Sequence, residues 1–183
     1  MNFETDRDFC STTTGTPLPT PMTTPTQSVT DGTPSHAAFP PVITVPCAGW
    51  TFLIRHQVSG LVITLREGIL TLEHETRSKG WGGCHWACVE NDGWFGFRNI
   101  VSGTYIGHNG KGEFIADAKH HGGHEFFVTK PHPEGGYWLL TLHNWKCMNM
   151  AIMAEQTPSK LVVSADRGAA WEFLSVETSV AQD

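Results

Sequence analysis

Charge is scarce in this sequence. Asp, Glu, Lys and Arg make up 16% of its 183 residues, against roughly a quarter in an average soluble domain. The balance is acidic, with 12 basic residues against 18 acidic ones and a net charge of −6. A nucleic-acid binder needs a basic face to neutralise phosphates, and none is visible, so no nucleic-acid partner is expected. No apolar run approaches the roughly 18 residues of a membrane span, so no span is expected either. Long stretches of helical period are also missing, which argues against an all-α class. Met1 to Asp8 are polar and acidic, with no apolar signal-peptide core after them. A cytoplasmic location is therefore expected, with five cysteines that are mostly reduced.

Catalytic signatures are lacking too. There is no Gly-x-Ser-x-Gly, no phosphate loop and no His-Glu-x-x-His. Cys84 and Cys88 flank His85-Trp86-Ala87, but a zinc ribbon needs a second cysteine pair. On an extended strand the two would lie on one face about 13 Å apart, too far for a disulfide. They are expected to be buried thiols, with Cys147 as a third-unit counterpart of a core position. No cofactor and no metal are expected.

What is present falls into two kinds of polymer. Residues 1–46 are rich in Thr and Pro and poor in large apolar side chains. Such a segment buries too little surface to offset its ordering entropy, so a disordered tail is expected. Its Thr-Pro steps, at Thr16, Thr20, Thr24 and Thr33, suit a semi-extended leader. Phe39 to Pro46 is more apolar and suits a lead-in segment lying against the domain. Residues 47–178 are rich in glycine and tight turns, and 179–183 read as a frayed C-terminus.

The second part repeats itself. Trp50, Trp94 and Tyr137 each open a unit, at a period near 40 residues, and Trp86, Phe126 and Trp171 mark the fourth strand of each. Ser59-Gly60 and Ser102-Gly103 stand at matching places, with Lys146-Cys147 in the third unit. The middle unit reads as strands 94–97, 104–107, 113–116 and 125–128. One four-stranded unit cannot bury its apolar face, whereas three can close a six-stranded barrel capped by three hairpins, leaving no open edge. The fold expected is all-β, a β-trefoil of three pseudo-repeats, about 49–92, 93–134 and 135–177.

Ser102-Gly103-Thr104-Tyr105-Ile106-Gly107 and Gly122-Gly123-His124-Glu125-Phe126 resemble the fascin-like β-trefoil family, in particular its single-trefoil proteins of fungal type. Arg167-Gly168-Ala169-Ala170-Trp171 echoes the second motif. The resemblance spans about residues 48–177. It implies a trefoil that binds a partner through its loops, among them actin-bundling proteins, lectins and protease inhibitors. Fascin itself strings four trefoils together, and the ricin-type Gln-x-Trp signature is absent from the ends of these units.

Histidine is in excess, with ten copies. His120-His121-Gly-Gly-His124 occupies one loop. Adjacent side chains on an extended loop point apart, so these read as solvated loop imidazoles, with a pH sensor or a Zn²⁺ or Cu²⁺ site as the alternatives. His56 and His143, with Ile100 between them, read as equivalent turn residues. The ligand-binding candidates are Trp81, His108, His121 and Trp145. Two functions suit the pattern. One is a binding module for a protein such as actin, or for a glycan. The other is a cofactor-free cyclase or isomerase of a fungal secondary-metabolite pathway, acting on a small hydrophobic molecule by shape and acid–base chemistry. Its catalytic candidates would be His120, His124, Glu125 and Asp117.

Overall fold

A computed structural model describes residues 43–75, 83–153 and 159–176 of the chain. Thirteen strands appear in it: β1 Ile43–Thr44, β2 Thr51–His56, β3 Val62–Arg66, β4 Ile69–Glu73, β5 Trp86–Asn91, β6 Trp94–Asn99, β7 Tyr105–His108, β8 Phe114–Ala118, β9 Phe127–Pro131, β10 Tyr137–His143, β11 Lys146–Met153, β12 Lys160–Ser164 and β13 Trp171–Ser175. Every pairing is antiparallel. Six strands close a ring in the order β2, β5, β6, β9, β10, β13 and back to β2. The hairpins β3–β4, β7–β8 and β11–β12 extend from it and pack on one another through β4, β8 and β12. This is the expected β-trefoil. Ile43 and Thr44 pair with Leu174 and Phe173, so the apolar lead-in joins the barrel at β13. The Thr/Pro tail as far as residue 42, the loop holding Trp81 and the last seven residues lie outside the described residues.

Register decides which residues of the three units correspond. Trp171 stands opposite His56, Trp86 opposite Asn99 and Phe127 opposite Thr141. His56, Asn99 and Thr141 are therefore equivalent. Counting from them, Ile54, Phe97 and Leu139 form one core layer and Ile63, Ile106 and Met150 another, all at 0% exposure. Trp86, Phe127 and Trp171 are likewise fully buried. Six large side chains in two threefold layers and three aromatics between the strands fill the barrel, and no lone unit could have covered them.

This register corrects several sequence expectations. The fourth strand of the middle unit begins at Phe127, because Glu125 sits in a one-turn 3-10 helix, Gly123–Glu125. Phe127, not Phe126, matches Trp86 and Trp171; Phe126 stacks on Trp94 instead, centroids 5.5 Å apart. The opening aromatics that correspond are Phe52, Phe95 and Tyr137, since Trp50 is half exposed just before β2. The third hairpin is two residues longer, so Ser59-Gly60 and Ser102-Gly103 match Asn144-Trp145 when counted from the first strand and Lys146-Cys147 when counted from the second. The equivalents of His56 are Asn99 and Thr141, not Ile100 and His143. Cys84 and Cys88 are buried and form no disulfide, as expected, but Cys147 is exposed.

Candidate functional site

Residues that recur in all three units are accounted for by packing. Those that break the threefold pattern are not; three of them meet in one place, and a fourth stands two residues further along the chain. His108 stands where the other units have Leu65 and Ile152, both packed against the core, and it is only 4% exposed. His124, three residues before the core aromatic Phe127, falls where Gly83 and Gly168 stand. His143 falls where the exposed Val58 and Val101 stand. Trp145 falls where Gly60 and Gly103 stand.

Local structure brings them together. β7 ends at His108 and points its imidazole inward. The 3-10 turn lifts His124 over it, with ring centroids 4.7 Å apart and nearly parallel. β10 ends at His143, whose ring meets His108 edge-on at 4.8 Å. Asn144 and Trp145 then make the two-residue turn from β10 to β11, at φ +49° and +63°, with His143 opposite Lys146. Glu125 accepts the Gly122 N–H through Oε2 at 3.1 Å, which ties the His124 turn closed.

Hydrogen bonding fixes where the protons go. His108 Nε2 lies 2.9 Å from Leu142 O. A carbonyl can only accept, so Nε2 carries a proton. The other nitrogen, Nδ1, lies 3.4 Å from His143 Nδ1, and one of these two nitrogens donates to the other. Asn109 O stands 3.2 Å from His108 Nδ1, so a second proton on His108 would also find a carbonyl.

The Trp145 turn is strained. Two residues with positive φ in a two-residue hairpin loop favour Asn-Gly or Asp-Gly. Two other pairs in this chain follow that rule, Glu67-Gly68 and Asp92-Gly93. At Asn144-Trp145 a bulky side chain takes the glycine place, and its indole is 92% exposed. Left-handed backbone costs a non-glycine residue about 1–2 kcal/mol, and an exposed ring recovers almost nothing by burial. Strain that packing does not repay marks a position kept for another purpose.

Other candidates separate. Asp117 on β8 and His120 after it are exposed, and no hydrogen bond, ion pair or ring contact joins them to His124 or Glu125 among the described residues. His121 is a packing residue. It stacks on Tyr105 at 5.5 Å, meets Phe126 at 5.0 Å and fills the notch over Gly96, where a Cβ would come within 2.6 Å of its Nε2. Trp81 lies outside the described residues. The sequence reading missed His143 as a site residue, because it was paired there with His56. Among the described residues, no group of three or more His, Cys, Asp and Glu side chains is placed to hold a metal ion, and no helix is long and apolar enough to cross a membrane.

No family model matches the chain, and no curated protein matches it significantly. Solved structures do. The "BEL beta-trefoil" aligns with a TM-score of 0.59 at 11% identity, covering 73% of this chain and 97% of that one. SeviL, in a structure bound to asialo-GM1 saccharide, aligns at 0.53 and 13% identity, covering 70% and 98%. The GlcNAcα1-4Gal-releasing endo-β-galactosidase from Clostridium perfringens aligns at 0.57 and 18% identity over 70% of this chain. The chain spans about a third of that enzyme's length, 33%. At these identities the likeness establishes the β-trefoil fold.

Proposed function

We propose that this chain is a β-trefoil module that binds a glycan through the Trp145 turn. The observation that carries the reading is the exposed indole held on a strained, rigid turn. Such a ring offers a flat apolar face to the C–H side of a pyranose, and its turn is already ordered, so binding costs little conformational entropy. Beside it, the His143 imidazole and the Asn144 amide each offer donors and acceptors, the chemistry that sugar hydroxyls require. The saccharide seen on SeviL and the galactoside-cleaving neighbour support a sugar rather than another partner for a trefoil of this kind. The finer kinship with the fascin-like group, and actin as ligand, rest on the motifs at residues 102–107 and 122–126 alone.

A glycan array probed with the full chain and with Trp145→Gly tests this. Discrete glycan signals are expected from the native chain and their loss in the variant. An array that stays blank, or a variant that binds like the native chain, would remove the proposal.

A further inference from the structure

Three equivalent places exist around the barrel, one at each junction between units, and they are filled differently. Between the second and third units, His108 and His124 stack and fill the space. At the matching place between the third and first units, the counterparts are Ile152 and Gly168. A cavity of about 390 Å³ is open there, near the lower end of the range of small-ligand sites. Its wall is mainly apolar, formed by Leu61, Leu72, Ala151 and Ile152, and His56 and Arg167 are among its polar side chains.

Both polar groups present donors. Ser59 N–H points at His56 Nδ1 at 3.3 Å, and Ser59 Oγ lies 2.8 Å from the same atom while accepting Leu61 N–H at 3.3 Å. Nδ1 is thus the acceptor, and the imidazole proton sits on Nε2. Burial lowers the His56 pKa, which keeps the ring neutral in this form. Neither the Nε2–H nor the Arg167 guanidinium has a protein acceptor among the described residues. Gly168 lines the cavity and packs closely on Trp138, where a Cβ would come within 2.7 Å of the ring.

We infer that this cavity is a second site, separate from the Trp145 turn, and that it takes a compact apolar carboxylate. The hydrocarbon part lies against Leu61, Leu72 and Ile152, and the carboxylate receives the His56 Nε2–H and the Arg167 guanidinium. A planar guanidinium suits a carboxylate better than it suits a hydroxyl or an amide.

The test is an NMR titration of the isotope-labelled full chain with hydrocinnamate and, separately, with its amide. The acid should give saturable shifts confined to residues 56–61, 151–152 and 167–169. It should bind about tenfold more tightly than the amide, the worth of one hydrogen bond to a charged group. Arg167→Gln, at an exposed loop position, should erase that advantage. Trp145→Gly should leave acid binding unchanged, so loss of glycan recognition and loss of this site can be told apart. Equal binding of acid and amide, shifts that never saturate, or shifts centred elsewhere would overturn the inference.

Discussion

Counted from the first strand of their hairpins, Trp145 and Gly103 hold the same place in successive units, with nearly the same left-handed backbone, at φ +63° and +70°. One is the bulkiest residue available and the other the smallest. Trp145→Gly should therefore stabilise the fold by about 1 kcal/mol, since strain is relieved and little burial is lost. Denaturant unfolding of both proteins measures it. A clear loss of stability would show that the indole packs against something and is not an offered surface.

His108 replaces an aliphatic residue at a core-packed position. His108→Leu restores the side chain of Leu65 at that place, so stability should change by less than about 1.5 kcal/mol in either direction. Glycan affinity should nonetheless fall several-fold, because His143 loses the imidazole that orients it. Thermal unfolding beside a binding titration separates the two effects. Unaltered affinity would detach His108 from the recognition surface.

Acid should weaken the fold. Burial lowers the pKa of His56, and of His85 despite the opposing pull of Glu75. The unfolded chain then binds more protons than the folded one between their lowered values and the ordinary 6.5. In that window stability rises with pH and is lost as pH falls below 6.5. Melting temperature followed downward from neutral pH should drop. His56→Gln should flatten part of the decline, and an unchanged slope in that variant would place the proton uptake elsewhere.

The four described cysteines should react in two classes. Cys47 and Cys147 are exposed, whereas Cys84 and Cys88 are buried. Desolvation pushes the Cys88 thiol up to about 12, so almost no thiolate forms there at neutral pH. With a thiol reagent, Cys47 and Cys147 should label within the mixing time. Cys84 and Cys88 should label only at the rate of unfolding. Fast labelling at Cys88 in the native protein would contradict the closed barrel.

The threefold architecture was readable in the sequence because its evidence is dense. Aromatic and aliphatic core residues recur at a near-constant interval, and glycine turns punctuate them. Its phase was not. Phe126 and Phe127 are adjacent aromatics, and alternation cannot say which one faces inward. Trp50 and Trp94 flank the core layer where Phe52 and Phe95 belong to it, so the loudest residues misled by one or two places. In the third unit the chain turns in two residues at Asn144-Trp145, and that shift hid the match with Ser59-Gly60. Once the units are aligned on Ile54, Phe97 and Leu139, His108 and Trp145 stand out as departures. What no alignment of units provides is the 3-10 turn that carries His124 onto His108. It depends on the Glu125 carboxylate reaching Gly122 across three residues.

The symmetry broken at Trp145 sets a valency. Gly60 and Gly103 leave the other two junction turns without a ring to offer, so on the proposed reading each chain presents one such site among its described residues. A module with one sugar site per chain would not cross-link cells or clump vesicles by itself. Avid attachment to a surface would require several copies held side by side, and its strength would then follow the spacing of those copies and not the strength of any single contact.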